Sequence, residues 1–473
     1  MTIHEAPIDE STAVVAASGD ASMMAAGAAK ARDASTENGT AAPVAARSGA
    51  VGGGRRSLLI LKRVGRIVAG VATVLLLVLG ALAVMFTAPQ PAMAVGVLIL
   101  AVAIGFAVLI NRRFGAVLLI FTTLATALVG ISQATASTPP IVDSTGHIVA
   151  GSVAAMEQVS MGGTNQWIVM RGKSASNPVL LFLAGGPGGT ETGWVRKFNA
   201  ALEDHFVVVN WEQPGAGKSN ASLWDSRTLT PQQYVQDGLQ LTNYLRQRFH
   251  QDKIYLVGHS WGTFLGVWMV QQHPELFKAY VGVGQMVDPT TSDRLGYEDV
   301  ISREQRDGNT AIVQKLRANG PPPYYGSLML LKYMDYFGPQ DSYMAMDERA
   351  SGGKPYLGNP FDDILSPEYG LADRITSIGV MNPITFTKVY QQLDKVDFRV
   401  QAPKLDVPVY FVQGRHDLNN WAPLAAEYFR VLQAPHKEML WNETSAHNVL
   451  YEDPNWFNTL MVATVLKQTQ SGR

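Results

Sequence analysis

The stretch LVGHSWG, residues Leu256 to Gly262, decides how this sequence of 473 residues is interpreted. Ser260 stands in a G-x-S-x-G pattern, with the apolar run Ile254–Val257 before it and the helix-like segment Trp261–Gln272 after it. Glycines at the two flanking positions allow a sharp turn between a strand and a helix, and such a turn presents the serine hydroxyl as a nucleophile. The alternative is an ordinary serine in a glycine-rich loop, so further residues have to distinguish the two.

A serine nucleophile needs an adjacent base to take its proton and a carboxylate to orient that base. In this kind of fold the chain order is Ser, then Asp or Glu, then His. Asp417 follows the apolar run Val407–Val412 in QGRHD, and His447 follows Lys437–Trp441 in ETSAH. Each comes just after a predicted strand, at the edge where an open α/β sheet places its site. We therefore predict Ser260, Asp417 and His447 as a catalytic triad.

Each member of this trio also has an ordinary interpretation. His447 can be a surface-loop histidine and Asp417 a turn or capping residue, but their order along the chain favours the triad. His416 and Glu443 compete from nearby positions; we expect His416 to point elsewhere and Glu443 to be solvated.

A glycine-rich turn, AGGPGG at residues 184–189, directly follows the predicted strand Val179–Leu183. Acyl transfer places negative charge on the carbonyl oxygen, and fixed backbone N–H groups stabilise that charge. Glycines let the backbone approach a substrate closely. We predict the N–H groups of Gly186 and Trp261 as the oxyanion hole, although the segment taken alone would favour a simple glycine-rich turn.

Beyond about residue 150, short apolar runs alternate with longer amphipathic stretches, which predicts an α/β fold with a mostly parallel sheet covered by helices on both faces. One amphipathic stretch is Pro231–Phe249, with Thr230 as its N-cap and Gln233 completing a capping box. Residues 153–287 and 401–470 are predicted to form the core. Residues 288–400 interrupt the alternation with aromatic and proline-rich sequence and are predicted to be an inserted helical cap.

The N-terminal part has a different composition. Residues 1–54 are rich in Ala, Gly, Ser and Thr and are predicted to be a disordered tail. Residues 55–132 contain three apolar segments without charged residues, 67–86, 92–110 and 116–132, which we predict to be transmembrane helices. A buried helical bundle is the alternative, but such helices normally carry a polar face. Residues 133–152 are predicted to be a linker.

Flanking cations predict the orientation of a multi-pass membrane protein. Arg and Lys residues cluster before the first segment and recur between the second and third, at Arg112 and Arg113, and the next cation is Arg171. The positive-inside bias then places the N-terminus in the cytoplasm and the catalytic domain outside it. If only two segments cross the membrane, this conclusion reverses.

Composition excludes several function classes. The net charge is −1, which gives no electrostatic reason to expect nucleic acid as a partner. The chain has no cysteine, so disulfides, a thiol nucleophile and cysteine-ligated metals are excluded. GAGKS at residues 215–219 is similar to the end of a phosphate-binding loop, but Glu212 stands where the first glycine would be required, so no nucleotide is expected. We predict no cofactor and no metal.

Over about residues 154–467 the chain resembles the prolyl iminopeptidase branch of the α/β-hydrolase superfamily. The resemblance rests on six motifs taken together: QWIVMRG, GGPGG, WEQPGAGKS, VGHSWG, QGRHD and SAH. The resemblance implies Ser260 as nucleophile, His447 as base, Asp417 as its orienting carboxylate, the GGPG turn as oxyanion hole and a helical cap after the sixth strand. Ala184 and Pro214 depart from the family, which usually has histidine before GGPG and arginine in the segment that here reads EQPG.

These observations predict a membrane-anchored serine hydrolase that cleaves amide bonds, as an aminopeptidase of prolyl iminopeptidase type, on a peptide substrate. An esterase or lipase-like hydrolase of small esters is the first alternative, and an inactive hydrolase fold that serves as a binding or sensing module is the second. The resemblance implies that acidic cap residues hold the amine of the substrate; Glu298, Asp299, Glu304 and Asp335 are the available ones. Glu212, Glu298 and Tyr325 are the predicted substrate-binding residues.

Overall fold

The computed structural model describes residue 104 and residues 112–224, 229–326, 328–355, 360–376 and 383–470. The predicted tail, 1–54, and the predicted spans 67–86 and 92–110, apart from residue 104, lie outside the described residues.

A single eight-stranded sheet forms the centre of the described domain. Its strands, in chain order, are β1 (Val153–Met161), β2 (Thr164–Gly172), β3 (Val179–Leu183), β4 (Val207–Trp211), β5 (Ile254–His259), β6 (Phe277–Val283), β7 (Val409–Gly414) and β8 (Lys437–Asn442). Their order in the sheet is β1-β2-β4-β3-β5-β6-β7-β8. β1 and β2 pair antiparallel, as do β2 and β4, and every other pair is parallel. The predicted mostly parallel sheet is therefore confirmed.

Helices connect the strands and cover the sheet. The α-helices are α1 (Arg112–Thr135), α2 (Thr192–Phe198), α3 (Pro231–Arg248), α4 (Trp261–Gln272), α5 (Pro289–Arg306), α6 (Thr310–Asn319), α7 (Met329–Ala350), α8 (Pro360–Ile364), α9 (Leu371–Thr376), α10 (Pro383–Tyr390), α11 (Phe398–Gln401), α12 (Ala422–Val431), α13 (Val449–Glu452), α14 (Pro454–Leu460) and α15 (Lys467–Gln470). Three short 3₁₀ helices, Ala200–Asp204, Gly217–Trp224 and Pro274–Leu276, and a π-helical turn, Met461–Leu466, complete the described helices.

The central strands are apolar on both faces because helices cover both. Every residue of β3, β4 and β5 is buried, as is typical of parallel strands enclosed between two layers of helices. Successive side chains point to opposite faces: Leu181 and Leu183 belong to one hydrophobic cluster, and Leu180 and Phe182 belong to the other. Because β4, β3 and β5 are parallel neighbours, their carboxyl ends meet at one edge of the sheet.

The start of α3 differs in one detail from its prediction. The Thr230 hydroxyl accepts a hydrogen bond from the backbone N–H of Gln233 at 3.2 Å, as an N-cap should. The Gln233 side chain, however, donates to Asp237 at 2.7 Å instead of reaching back to the cap. Asp237 is buried and also accepts from Gln166 at 2.6 Å, so the glutamine satisfies a buried carboxylate.

The helices α5 to α11 lie between β6 and β7 in the chain. Arg399 links the two ends of this insertion, since its guanidinium donates to Asp288 at 3.0 Å and to Glu427 at 2.7 Å. We call α5 to α11 the cap.

The helix α1 includes Ala116–Thr135, which is long and apolar enough to cross a membrane. Several of its apolar side chains are exposed, among them Leu124 and Leu128. Its C-terminal end contacts the cap, where the Ser132 hydroxyl accepts from the N–H of Leu371 at 3.0 Å. Length and composition of one helix are weak evidence for a membrane span, because a core helix or a signal sequence can have both.

Candidate active site

The turn between β5 and α4 holds Ser260 in a backbone conformation that few non-glycine residues adopt. Its φ is 51° and its ψ is −120°, outside the broad allowed regions. A Cβ at Gly258 would lie 2.5 Å from the carbonyl oxygen of Gly262, and a Cβ at Gly262 would collide with the carbonyl oxygen of Leu183. The glycines of the motif are therefore required by close backbone packing, which keeps the serine at the tip of the turn.

Asp417 and His447 meet at the same edge of the sheet. The Nδ1 atom of His447 lies 3.0 Å from Oδ2 of Asp417, and both residues are buried. Asp417 also accepts from the Gln413 side chain at 2.8 Å and from the backbone N–H of Asn420 at 2.9 Å. Burial by itself would raise the pKa of Asp417, but the charge and hydrogen bond of His447 outweigh it and lower that pKa below its usual value. The carboxylate is thus ionised and fixed against one ring nitrogen.

The pKa of His447 responds to the same neighbours. Burial would lower it, whereas the Asp417 carboxylate, with smaller contributions from Asp341 and Glu191, raises it above its usual value. Ser260 and His447 line one cavity. No hydrogen bond joins the Ser260 hydroxyl to the His447 ring among the described residues; such bonds between nucleophile and base are often long in enzymes without substrate.

The glycine-rich turn after β3 borders the nucleophile. Gly186 has a φ of 126°, and a Cβ there would lie 2.6 Å from the backbone nitrogens of Gly188 and Gly189, so this position requires glycine. Gly185 and Gly186 line the cavity next to Ser260. Trp261 is the first residue of α4, so its N–H has no acceptor in a preceding helical turn. Both predicted oxyanion-hole residues therefore lie beside the predicted nucleophile.

A cavity of about 720 Å³ lies between the core and the cap, with Ser260 and His447 in its wall. Apolar side chains cover one part of it: Met286, Leu330, Met334, Phe337, Met344 and Phe386. Carboxyl groups line another part: Glu191, Asp341, Glu348 and Glu452. The cavity is thus suited to a substrate that has both an apolar portion and a positively charged group.

Asp341 is the cap carboxylate with the most freedom to contact a ligand. Its side chain is accessible within the cavity, and it makes no hydrogen bond or ion pair with another described residue. Burial by the surrounding protein raises its pKa to about 6, and the charge of His447 opposes that rise. At neutral pH Asp341 is therefore mostly ionised.

Glu348 and Glu452 form a carboxyl pair where the cap meets the core. Both accept the backbone N–H of Ala446, at 2.9 and 2.8 Å. Burial raises the pKa of Glu348, and burial together with the charge of Glu348 raises that of Glu452. Because a second charge would be repelled by the first, the pair retains a proton more readily than two separate carboxylates.

The three predicted substrate-binding residues do not line this cavity. Glu212 is buried and accepts from Tyr369 at 2.7 Å and from the backbone N–H of Lys218 at 3.2 Å, and burial raises its pKa. Glu298 is exposed and lies 3.4 Å from Arg294. Tyr325 is exposed and donates to Asp394 at 3.0 Å.

The other acidic cap residues named from the sequence are also engaged elsewhere. Asp299 pairs with Arg303 at 2.8 Å, Glu304 accepts from Asn309 at 2.6 Å and Asp335 pairs with Lys315 at 2.6 Å. The side chains of the two competitors for the predicted triad also have other partners: His416 contacts the Ser351 hydroxyl at 2.7 Å, and Glu443 pairs with Arg415 at the surface.

Sequence reasoning missed Glu191, Asp341, Glu348 and Glu452. For the residues on α7 a helical pattern was available: the positions 330, 334, 337, 341, 344 and 348 all line the cavity and recur every three or four residues. Asp335 falls outside that stripe. No comparable pattern pointed to Glu191 or Glu452. Among the described residues, no group of three or more His, Cys, Asp or Glu side chains could hold a metal ion.

Comparison with known proteins places these observations among hydrolases. A family model described as the α/β hydrolase fold matches residues 178–313. The probable aminopeptidase YbaC of Bacillus subtilis (strain 168) is 32% identical over 319 residues, which cover 65% of this chain and 96% of that protein. A proline iminopeptidase of Clostridium botulinum is 29% identical over 107 residues, which cover 22% of this chain and 33% of that protein. The crystal structure of a proline iminopeptidase from Mycobacterium smegmatis aligns with a TM-score of 0.49 and 16% identity over 67% of this chain and 100% of that one.

Proposed function

Since the chain belongs to the α/β-hydrolase family, we propose that it is a serine hydrolase that cleaves amide bonds, as an aminopeptidase of the prolyl iminopeptidase type. The observation that carries the proposal is the arrangement around one cavity: Ser260 on its strained turn, and His447 held at 3.0 Å by the Asp417 carboxylate. The similarity to a probable aminopeptidase over 96% of its length supports the same class.

In the proposed reaction the Ser260 hydroxyl attacks the substrate carbonyl and passes its proton to Nε2 of His447, because Nδ1 is occupied by Asp417. The N–H groups of Gly186 and Trp261 stabilise the oxyanion of the tetrahedral intermediate. When the intermediate collapses, His447 returns the proton to the leaving amine and an acyl-enzyme remains. Water, deprotonated by His447, then attacks the ester, and Ser260 regains its proton as the acid leaves.

The carboxyl groups of the cavity favour substrates with a free amine. An ammonium group next to Asp341 would gain an ion pair that a neutral ester cannot form. Glu348 and Glu452 line the same cavity, and their oxygens can accept hydrogen bonds from an ammonium group. Selection for a free N-terminal amine would distinguish an aminopeptidase from a general esterase.

Two measurements test this proposal. The replacement Ser260→Ala should reduce hydrolysis by about a millionfold and abolish labelling by a fluorophosphonate probe. The matched control is Ser342→Ala, which removes another serine hydroxyl from the same cavity wall and should leave labelling intact. Labelling that persists in the Ser260 variant would contradict the assignment, and a wild-type chain that reacts with no serine-directed probe would favour a non-catalytic binding role.

A carboxylic ester hydrolase is the second candidate, because apolar side chains such as Leu330, Met334 and Phe337 offer a surface for an acyl chain. Aminoacyl-arylamides, their N-acetylated forms and simple acyl esters should be compared on one preparation. The aminopeptidase proposal expects N-acetylation to reduce turnover strongly. Turnover of blocked esters without turnover of free aminoacyl-arylamides would establish the esterase instead.

We further propose that the chain is anchored in a membrane with its catalytic domain outside the cytoplasm. Three apolar segments in the sequence and the exposed apolar side chains of α1 support this proposal. Because the chain contains no cysteine, single cysteines introduced by Ser35→Cys and Ser176→Cys can each be probed in intact cells with an impermeant maleimide. We expect the maleimide to label Ser176→Cys and not Ser35→Cys. Labelling of Ser35→Cys alone would show the opposite orientation. In a separate experiment, full extraction of the protein from membranes by alkaline carbonate would refute the anchor.

A further inference from the structure

The carboxyl group of Glu191 is buried in the wall of the active-site cavity but has no part in the mechanism above. Glu191 lies two residues after the glycine-rich turn and immediately before α2, and it is 5% exposed. A buried carboxylate is unfavourable unless hydrogen bonds stabilise it, so its partners indicate what it contributes.

Those partners come from three separate segments of the site. Oε1 accepts from the N–H of Gly185 at 2.9 Å and contacts Nδ1 of His259 at 2.8 Å. Oε2 accepts from the Tyr451 hydroxyl at 2.8 Å. Gly185 precedes the predicted oxyanion donor Gly186, His259 precedes the nucleophile, and Tyr451 lies on α13, which begins two residues after the catalytic histidine. One carboxylate thus contacts the oxyanion loop, the residue before the nucleophile and the helix that follows the His447 loop.

His259 extends this connection to the base. Its second ring nitrogen, Nε2, lies 3.3 Å from the backbone carbonyl oxygen of His447, and the two rings have their centres 5.2 Å apart. The ring of His259 is buried between Glu191 and the His447 loop. A displacement of the carboxylate would therefore be transmitted to the backbone that carries the catalytic ring.

We propose that Glu191 is a positioning residue for acyl transfer, which sets the oxyanion loop, the nucleophile turn and the His447 loop relative to one another through these contacts. The role rests on the proposed hydrolase function. The glycine-rich loop has little intrinsic stiffness, so the N–H of Gly186 requires an external constraint to stay aimed at the developing oxyanion. Displacements of about 1 Å in such groups reduce rates by about a hundredfold.

A purely structural role would give a different result from a positioning role, and the control variant separates the two. Glu203 is a buried carboxylate that accepts from Arg171 at 2.7 Å and does not line the cavity. Both Glu191→Ala and Glu203→Ala should lower the thermal midpoint of the full-length protein. Only Glu191→Ala should lower kcat, by about 30-fold to 100-fold with KM changed less than threefold, together with a similar fall in the second-order rate of fluorophosphonate labelling at Ser260.

Conservative variants sharpen the test. Glu191→Gln keeps an oxygen that can accept from Gly185, so it should recover part of the lost rate. Tyr451→Phe removes one of the three donors and should reduce kcat only a few fold. If Glu191→Ala labels at the wild-type rate, or if its loss of kcat matches that of Glu203→Ala, the positioning role is wrong while the hydrolase function stands. A wild-type chain that is not labelled at all would refute both.

Discussion

Replacing Asp293 by asparagine should remove a pH-dependent loss of stability from the cap. Asp293 is a buried residue of α5, and three tyrosine hydroxyls donate to its carboxyl group: Tyr333 at 2.9 Å, Tyr336 at 3.1 Å and Tyr390 at 3.0 Å. Burial raises the pKa of Asp293 from 3.8 to about 7, although the three hydrogen bonds oppose the rise. No cation is among the causes of this shift.

The sign and size of the effect follow from that pKa. Between pH 3.8 and about 7 the folded state holds a proton on Asp293 that the unfolded state has released, so the free energy of unfolding falls as the pH rises and is level above about 7. Each tenfold change in proton affinity is worth about 1.4 kcal/mol, which gives about 4 kcal/mol over the whole interval. Roughly 3 kcal/mol of this should fall between pH 5 and pH 8.

Urea unfolding of the full-length wild type and of Asp293→Asn, at several values of pH from 5 to 8, measures this difference. Asparagine keeps an acceptor oxygen but does not titrate, so the difference in unfolding free energy between the two proteins should change by roughly 3 kcal/mol across that range. Asp335→Asn is the matched control on the same cap. Burial would raise the pKa of Asp335, but Lys315 and Asn319 outweigh it and hold that pKa below its usual value, so Asp335 titrates outside the range. Parallel curves for wild type and Asp293→Asn would refute the reasoning.

Three further predictions concern the site. Asp341→Asn removes a negative charge that helps to raise the pKa of His447, so the acidic limb of the pH profile of kcat/KM should move to lower pH. The KM for a free aminoacyl-arylamide should rise, whereas the KM for an ester should not. An acidic limb that does not move would contradict this prediction. Asp417→Asn should reduce kcat by about 10⁴, measured on the same arylamide, because the ring of His447 loses the carboxylate that selects its tautomer; a loss below tenfold would exclude Asp417 as the orienting residue. Gly262→Ala places a methyl group against the carbonyl oxygen of Leu183 and should lower the urea midpoint by an amount equivalent to about 3 kcal/mol; unchanged stability would mean that this turn tolerates a side chain.

The core and the contact between Asp417 and His447 could be predicted because both depend on local patterns. Strands β3 and β5 are continuous apolar runs between turn residues, and the helix Trp261–Gln272 begins and ends at the predicted residues. Asp417 and His447 each follow a strand of a parallel sheet, so their convergence follows from topology. The strand Val153–Met161, by contrast, was not predicted as a strand; polar residues interrupt its apolar ones, and most of its residues are only partly buried.

The carboxyl groups that line the cavity could not be predicted, because the face that each cap helix turns towards the cavity is not encoded locally. Asp335 and Asp341 are six residues apart on α7, yet one pairs with Lys315 and the other lines the cavity. The contacts of Glu191 join residues up to 260 positions apart in the chain, and no local pattern encodes that separation. Acidic composition alone therefore identified the type of residue but not its position.

The position of α1 connects the membrane proposal with the catalytic site. The Ser132 hydroxyl of α1 accepts from the N–H of Leu371 in the cap. Two residues after α1, the N–H of Ser137 donates to the carbonyl oxygen of Pro367 at 3.0 Å. A few residues earlier in the cap, Asp363 accepts from the N–H groups of Gly193 and Trp194 at 2.6 and 3.3 Å.

Those two N–H groups belong to the first turn of α2, the helix that starts directly after Glu191, and Trp194 itself lines the cavity. The acidic cap residue Glu368 reinforces the attachment by pairing with Arg196 of the same helix at 3.0 Å. The cap segment 363–371 therefore contacts both the apolar helix and the helix next to the oxyanion loop. If α1 lies in a bilayer, the same contacts fix the cavity close to the membrane surface, where substrates that carry an apolar portion would concentrate.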